Sequence, residues 1–163
     1  MLFNRDLIII VLRVNKGEMS DGKRSPVVYI QRTETFSACH RLHSSALDAD
    51  ENRRIFGKCN NPNGHGHNYR LEVTLRGPVD ASTGMVMNLV DLKNHMEGAV
   101  LSVLDHKNID KDVPYFKDTV STAENIAIFI WDRLEELIPD GLLYEVKLHE
   151  TDKNVAIYRG EKE

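Results

Sequence analysis

Cysteine is scarce in this sequence: the 163 residues include two, Cys39 and Cys59. Two thiols are too few for a disulfide scaffold, and no Asn-x-Ser/Thr acceptor for N-linked glycans occurs. Both absences are typical of a protein from a reducing compartment. We therefore predict a cytoplasmic location.

Long hydrophobic runs and an excess of positive charge are also missing. The best candidate run, Leu7–Leu12, is far shorter than the roughly 20 residues that span a bilayer. Lys and Arg number 21 against 25 Asp and Glu, so the formal net charge is -4. A protein whose main partner is nucleic acid needs clustered basic residues. The composition predicts neither a membrane nor a nucleic-acid partner, and it remains compatible with a small anionic ligand.

The chain length is suited to one domain. The stretch Asn15–Ser25 contains Gly, Ser and charged residues, and it predicts a flexible N-terminal extension over residues 1–25. Residues 26–163 are expected to form a single domain. We find no internal repeat and no low-complexity segment in the sequence.

Hydrophobic periodicity after Pro26 predicts the element order ββααββ. The predicted strands are Val27–Phe36 with its even parity continuing to Ala38 and His40, His65–Arg76, Leu143–Thr151 and Val155–Tyr158. The predicted helices are Leu89–Leu104, with a stripe of Leu89, Leu92, Met96, Val100 and Val103, and 121–138, with a stripe of Ile126, Ile130, Leu134 and Leu137. Two helices between two pairs of strands predict an α+β domain, an antiparallel sheet with both helices on one face. The two edges of such a sheet favour oligomerisation.

Three histidines are expected to meet where the first two strands join. His65 and His67 flank Gly66 at the start of the second strand, and residues two apart on a strand point to the same face. His40 at the end of the first strand offers a third imidazole, with His43 as the alternative. Three His ligands and one open position are typical of catalytic zinc, so the pattern predicts a zinc site.

Cys59 lies six residues before His65, in the long segment that connects the first two strands. Beside Lys58 and near a zinc ion, this thiol could serve as a base or nucleophile. It could also be a fourth, structural zinc ligand, and the sequence leaves both roles open. Cys39 has no comparable context and is expected to be an inert, packed thiol.

Two further acidic sites are candidates for chemistry. Asp105 and His106 follow the first helix, where a carboxylate could orient the imidazole for proton transfer, although a simple helix end explains the pair equally well. Glu150 ends the third strand on the apolar parity, and a buried carboxylate needs a partner. A ring with paired N–H groups, such as a pterin, would provide a bidentate one.

The second helix opens with Ser121-Thr122-Ala123-Glu124, which has the spacing of a capping box. On this interpretation Ser121 caps the helix, and Thr122 and Glu124 are helix-start residues only.

Seven stretches resemble the 6-pyruvoyl-tetrahydropterin synthases, in particular those of animals. The similarity covers about Val27 to Gly160 and is most specific between Cys59 and His67. The stretches are FSACHRL (Phe36–Leu42), FGKCNNPNGHGHNY (Phe56–Tyr69), GMVMNLVDLK (Gly84–Lys93), LDHKN (Leu104–Asn108), VPYF (Val113–Phe116), STAEN (Ser121–Asn125) and HET (His149–Thr151).

The resemblance implies a role for each matching residue, and it selects His40 over His43. The implied site residues are the zinc ligands His40, His65 and His67, the catalytic Cys59, Asp105 and His106, and the pterin-binding Glu150, Thr122 and Glu124. The resemblance also implies a tunnelling fold, in which three chains close their sheets into a barrel and two trimers form a homohexamer. The site would lie between subunits, so that the Asp–His pair serves a neighbouring chain's zinc.

The implied enzyme is a carbon–oxygen lyase acting on phosphates. It would convert 7,8-dihydroneopterin triphosphate to 6-pyruvoyl-5,6,7,8-tetrahydropterin and triphosphate, a step of tetrahydrobiopterin biosynthesis. Zn²⁺ is the implied cofactor, and no external redox cofactor is expected. Candidates for contacting the triphosphate are Arg41, Lys58, Arg70 and Lys107.

Two alternatives remain at the level of sequence. A 6-carboxy-tetrahydropterin synthase would use the same substrate and zinc pattern, but its cysteine typically lies nearer the His-Gly-His motif than here, where Asn60 to Gly64 intervene. A non-catalytic, zinc-stabilised oligomerisation module would use Cys59 as the fourth ligand.

Overall fold

Alternating apolar and polar residues produce two long neighbouring strands in the computed structural model, which describes residues 25–162. These strands are β1, Val27–His40, and β2, His65–Pro78. They pair antiparallel with His40 opposite His65 and Ala38 opposite His67. The ends of the two strands that carry the histidines therefore lie side by side.

Three shorter strands complete a sheet with the order β3-β1-β2-β4-β5. The strands are β3, Lys107–Asn108, β4, Leu143–His149, and β5, Val155–Tyr158. β4 and β5 pair antiparallel, as expected, whereas β3 pairs parallel with Ala38 and Cys39 of β1. The prediction of four antiparallel strands missed β3 because two residues are too few to show a periodicity.

The helices lie in the connections between the strands. They are α1, Ala49–Phe56, α2, Leu89–Met96, α3, Ser102–Leu104, α4, Ile109–Asp112, and α5, Ala123–Glu135, with 3₁₀ turns at Gly57–Asn60 and Pro114–Lys117. Tyr69 and Leu71 of β2 are fully buried, and so are Met96 of α2 and Ile130 of α5. The core therefore lies between one face of the sheet and the helices, which confirms the predicted α+β architecture.

The first predicted helix is not a continuous α-helix. A π-helical turn over Glu97–Leu101 separates α2 from α3, and the Ser102 hydroxyl donates a hydrogen bond of 2.8 Å to the Gly98 carbonyl there. A side chain that bonds back to the helix backbone competes with the regular pattern, and such turns are hard to read from periodicity. Leu89 at the start of the predicted stripe is exposed, because the helix presents this first turn to solvent.

The predicted capping box is wrong. Thr122, not Ser121, is the N-cap of α5, and its hydroxyl accepts a hydrogen bond from the Asn125 backbone N–H at 3.3 Å. Ser121 instead donates to Asp110, which removes its hydroxyl from the helix end. Leu137 lies beyond the end of α5 and is exposed rather than part of the apolar stripe.

The predicted extension over residues 1–25 lies outside the described residues except for Ser25. Among the helices of residues 25–162, none has the length and apolar character needed to cross a membrane.

Candidate active site

The sheet register places three imidazoles together at one end of β1 and β2. His40 ends β1 opposite His65, and His67 lies two residues further along β2 on the same face. One nitrogen from each ring lies within 4.8 Å of the others. Within residues 25–162, no other group of three or more His, Cys, Asp or Glu side chains has ligand atoms this close together. The three predicted histidines are thus brought together.

The facing nitrogens of this cluster have no hydrogen-bond partner. They are Nε2 of His40, Nδ1 of His65 and Nε2 of His67, and all three are buried. Buried polar atoms without partners are rare and costly in folded proteins. Three of them directed to one point fit a site for a cation that prefers nitrogen ligands.

His40 is held in the form that a metal requires. Its Nδ1 lies 2.7 Å from the Ser121 carbonyl, and since a carbonyl only accepts, Nδ1 carries the proton and Nε2 keeps its lone pair. Burial lowers the pKa of His40, and it also lowers the pKa of His67. Both imidazoles are therefore expected to be neutral, as metal ligands must be.

Cys59 is tied to the chain that follows His40. Its carbonyl accepts a hydrogen bond from the Leu42 backbone N–H at 2.9 Å, and the Asn60 side chain donates to the Leu42 carbonyl at 2.7 Å. Asn60 is itself buried. Cys59 is half-buried, has no disulfide partner and is not a member of the three-histidine group. The backbone of Cys59 is thus fixed next to the chain that follows His40, and its thiol is not among the converging ligand atoms.

Gly64 brings the cysteine-bearing loop back to the histidines. Its φ of +74° is in the left-handed region, and a Cβ at this position would lie 2.9 Å from the His40 carbonyl oxygen. Only glycine combines this conformation with such a close approach. The loop is thereby fixed against His40 immediately before His65.

Glu150 lies beside the cluster. Its Oε1 is 3.6 Å from Nε2 of His40 and 3.8 Å from Nε2 of His67, and 18% of its side chain is exposed. β4 ends at His149, so Glu150 begins the turn to β5 and its backbone N–H donates to the Asn154 carbonyl. The carboxylate therefore borders the histidine cluster and can contact a ligand bound next to His40 and His67.

Asp105 and His106 lie at the outer edge of β1. One Asp105 oxygen accepts the Ser37 backbone N–H at 2.8 Å, and the other lies 2.8 Å from Nδ1 of His106. The bond from Ser37 is the main cause that lowers the pKa of Asp105, with the nearby imidazole adding to it. His106 has a positive φ of 58°, and 83% of its side chain is exposed. The pair is thus oriented by β1 and directed outward.

Thr122 and Glu124 lie at the start of α5. Thr122 is the helix cap and follows Ser121, whose carbonyl contacts His40. Glu124 is exposed and borders a shallow pocket together with β5. The structure therefore connects Thr122 to the histidine cluster through the adjacent Ser121, and it places Glu124 at the pocket beside β5.

The four basic candidates do not gather at one point. The Arg41 side chain donates to the Asn60 carbonyl and borders a cavity of about 350 Å³, which also contains Lys111 and Lys117. Arg70 forms an ion pair of 2.7 Å with Glu72, on the opposite sheet face from the histidines. Lys107 lies in β3 beside His106, and Lys58 is exposed in the turn before Cys59.

Sequence reasoning missed three residues that surround the cluster. Ser121 and Asp110 are remote from the histidines in sequence, and no local motif connects them. Tyr69 was recognised only as an apolar strand residue, yet its hydroxyl is buried without a partner and burial raises the pKa of the phenol well above its ordinary value. Its parity on β2, shared with His65 and His67, was the one available signal.

The fold and the cluster together define an α+β protein with a three-histidine site at the end of its central strands. The family model described as 6-pyruvoyl tetrahydropterin synthase matches residues 29–161. The chain belongs to this family, as the sequence predicted.

Similarity to individual proteins extends over most of the chain. This chain is 60% identical over 133 residues to a 6-pyruvoyl tetrahydrobiopterin synthase of Poecilia reticulata, and the match covers 82% of this chain and 90% of that protein. It is 56% identical over 140 residues to the Homo sapiens protein of the same name, covering 86% and 97%. The structure of Caenorhabditis elegans 6-pyruvoyl tetrahydropterin synthase superposes with a TM-score of 0.82 at 50% identity, covering 85% of this chain and 99% of that chain. The family is one of synthases, so the chain is an enzyme.

Proposed function

We propose that the protein converts 7,8-dihydroneopterin triphosphate to 6-pyruvoyl-5,6,7,8-tetrahydropterin and triphosphate, as a zinc-dependent carbon–oxygen lyase of tetrahydrobiopterin biosynthesis. The observation that carries the proposal is the convergence of three unpaired imidazole nitrogens next to the Glu150 carboxylate. Converting two side-chain hydroxyls to carbonyls releases four electrons. Two of them reduce the dihydropterin ring to the tetrahydro form, and two are taken up by the terminal side-chain carbon, which becomes a methyl group as triphosphate leaves, so no external redox partner is required.

His40, His65 and His67 would hold the zinc ion. Their facing nitrogens fit a three-nitrogen donor set, and the neutral state favoured by burial suits coordination. Bound zinc would supply Lewis acidity at the substrate side chain, which acidifies the C–H groups next to its hydroxyls.

Cys59 would be the base that removes a side-chain proton. Its loop is fixed to Arg41 and Leu42, which donate to the Asn60 and Cys59 carbonyls, so Cys59 is held by the chain that follows the metal ligand His40. A general base must be held within hydrogen-bond reach of the proton it abstracts. The alternative role of Cys59, as a structural fourth zinc ligand, is disfavoured because Cys59 does not belong to the group of converging ligand atoms.

Asp105 and His106 would transfer protons in a neighbouring subunit's site. Asp105 bonds Nδ1 of His106 and so leaves Nε2 of that ring free to exchange a proton. A positive φ in a non-glycine residue is a strained conformation of the kind found at functional sites. The outward direction of His106 supports a role across an interface.

Glu150 would anchor the pterin ring through paired N–H groups, with Thr122 and Glu124 bordering the pterin pocket. The partial exposure of Glu150 and its distances to His40 and His67 are compatible with a ring bound next to the metal. A carboxylate that accepts two N–H groups of one ring binds strongly and fixes its orientation. Arg41 is the basic candidate best supported for the triphosphate, because it borders the cavity that also contains Lys111 and Lys117.

The working form would be a homohexamer in the cytoplasm. Its active sites would contain residues of more than one subunit, with small-molecule substrate as the ligand and neither membrane nor nucleic acid as a partner. The unpaired state of both cysteines supports a reducing compartment.

Replacing Cys59 with Ala separates the catalytic proposal from a structural zinc role. We expect the Cys59→Ala protein to retain one zinc per chain and its thermal transition, and to lose turnover of dihydroneopterin triphosphate by at least about 100-fold, as is typical when a general base is removed. The measurements are metal analysis, circular dichroism and product chromatography on the same preparation.

Cys39→Ala is the matched control, because Cys39 is the other half-buried free thiol and lies on β1 outside the metal-binding group. It should retain both zinc and turnover. Loss of zinc and of the fold in Cys59→Ala would contradict the catalytic role and support a non-catalytic zinc module.

A further inference from the structure

One carboxylate contacts both groups that hold His40 in place. His40 is fully buried, and its orientation is fixed by the Ser121 carbonyl, 2.7 Å from Nδ1. Ser121 is itself fully buried and lies 81 residues away in sequence. The carbonyl can only orient the imidazole if the Ser121 segment is fixed.

Asp110 supplies that fixation with two separate oxygens. Its Oδ1 accepts the Ser121 hydroxyl at 2.5 Å, and its Oδ2 accepts the Arg41 backbone N–H at 2.6 Å. Arg41 is the residue that follows His40. The Asp110 side chain therefore holds His40 in two ways. It fixes Ser121, whose carbonyl contacts Nδ1 of the His40 ring, and it fixes the backbone at Arg41, the next residue after His40.

The Asp110 side chain is itself well anchored. It lies in α4, whose N-cap Asn108 accepts the Lys111 backbone N–H, and its neighbour Ile109 is fully buried. Hydrogen bonds that involve an ionised acceptor are shorter and stronger than neutral ones. A fixed carboxylate that accepts two such bonds is suited to hold the imidazole of His40 rigidly.

We propose that Asp110 is a positioning residue for the metal ligand His40. It acts through Ser121 and Arg41 and is not itself one of the three metal ligands. The proposal rests on the metal site proposed above. Groups that orient metal-bound histidines typically contribute a factor of about 10 to 100 in metal affinity.

The segment from 105 to 110 makes two contacts with β1. Asp105 and His106 are docked on β1 through Ser37, and Asp110 is docked on the end of the same strand through Arg41. The segment from 105 to 110 would thus fix the proposed proton-transfer pair and one metal ligand relative to the same strand.

The test is zinc affinity of the full-length protein and of its Asp110→Asn variant. The substitution replaces one of the two carboxylate oxygens with an NH₂ group, which only donates, and removes the negative charge. The Ser121 hydroxyl and the Arg41 N–H, which now bond to different oxygens, can then no longer both have a charged acceptor. We expect zinc affinity, measured on the metal-free protein by competition with a chromophoric chelator, to fall about 10- to 100-fold. The visible absorption bands of the cobalt-substituted protein should also change, because they report ligand geometry directly.

Asp112→Asn is the matched control. It makes the same chemical change two residues away, where the carboxylate accepts the Asn108 N–H at 2.8 Å and contacts neither Ser121 nor Arg41. We expect it to bind zinc and cobalt as the unaltered protein does. Equal zinc affinities and equal cobalt spectra for the Asp110→Asn and Asp112→Asn proteins would overturn the proposal.

Ser121→Ala keeps the proposal testable if Asp110→Asn does not fold. It removes the hydroxyl but retains the carbonyl, so a smaller loss of zinc affinity than for Asp110→Asn is expected, and affinity equal to that of Asp112→Asn would refute the coupling. Failure of the unaltered protein to bind zinc would defeat the proposed metal site and this inference together. Zinc binding that is insensitive to both Asp110 and Ser121 would defeat this inference alone.

Discussion

At the scale of residues, three imidazoles are held close together with their facing nitrogens unpaired. Burial of such nitrogens costs free energy unless a cation or another partner satisfies them. The Ser121 carbonyl fixes the tautomer of His40, so that its free nitrogen faces the other two rings. This arrangement supports the proposed zinc site.

The tight approach of Gly64 to His40 gives the first prediction at this scale. Gly64→Ala should destabilise the protein more than Gly84→Ala, because both residues have φ near +70° but only Gly64 lacks space for a Cβ. The left-handed conformation alone costs a non-glycine residue about 1–2 kcal/mol. Urea denaturation of the two variants measures the difference.

Gly84 is a useful control since an added Cβ there would meet no atom within 4 Å. Equal free energies of unfolding for the two variants would show that the contact with the His40 carbonyl has no energetic consequence.

Part of the site follows from local sequence, and part does not. The i, i+2 spacing predicted that His65 and His67 share a face, because strand geometry fixes which side chains do. The third imidazole was open between His40 and His43 until the family resemblance selected His40. The Ser121 carbonyl and the Asp110 clamp were not predictable, since a backbone oxygen has no sequence signature and Asp110 reaches β1 only through the tertiary fold.

At the scale of elements, the long strands were predictable and the irregular pieces were not. β2 shows nearly perfect alternation over many residues, and its parity gave the buried face correctly. The π-helical turn at Glu97–Leu101 and the two-residue strand β3 depend on hydrogen bonds to specific partners. These bonds leave no periodic pattern in the sequence.

The start of α5 gives a prediction at this scale. Thr122→Ala should lower the free energy of unfolding by about 1 kcal/mol, because it removes the oxygen that accepts the Asn125 N–H at the helix cap. Thr122→Ser should restore most of that loss, since a serine hydroxyl caps equally well.

Chemical denaturation of both variants provides the measurement. If Thr122→Ala is as stable as the unaltered protein, the capping role assigned to Thr122 is wrong.

At the scale of the whole molecule, the sheet keeps apolar side chains in contact with solvent along β5 and along the part of β1 that the short strand β3 does not cover. Val27 and Tyr29 of β1 are 47% and 53% exposed, and Val155 and Ile157 of β5 are 47% and 50% exposed. Exposed edges with apolar residues are suited to pairing with other chains. Joining β1 of one subunit to β5 of the next would cover both sets and close a barrel.

This arrangement predicts that β5 carries an assembly contact. The unaltered protein should sediment with about six times the 18.6 kDa mass of the chain, and Ile157→Lys should shift it to smaller species, because a buried lysine at the interface lacks a partner.

Val90→Lys is the matched control, since Val90 is 61% exposed on α2 and belongs to neither β1 nor β5. It should sediment like the unaltered protein. An Ile157→Lys protein of unchanged mass would exclude this edge from the assembly.

The central claim is the reaction itself, and product identification tests it most directly. Purified, zinc-loaded protein should convert 7,8-dihydroneopterin triphosphate to equal amounts of triphosphate and 6-pyruvoyl-5,6,7,8-tetrahydropterin without an added redox cofactor. Release of triphosphate with a 6-carboxy product, or with no pyruvoyl product, would contradict the account.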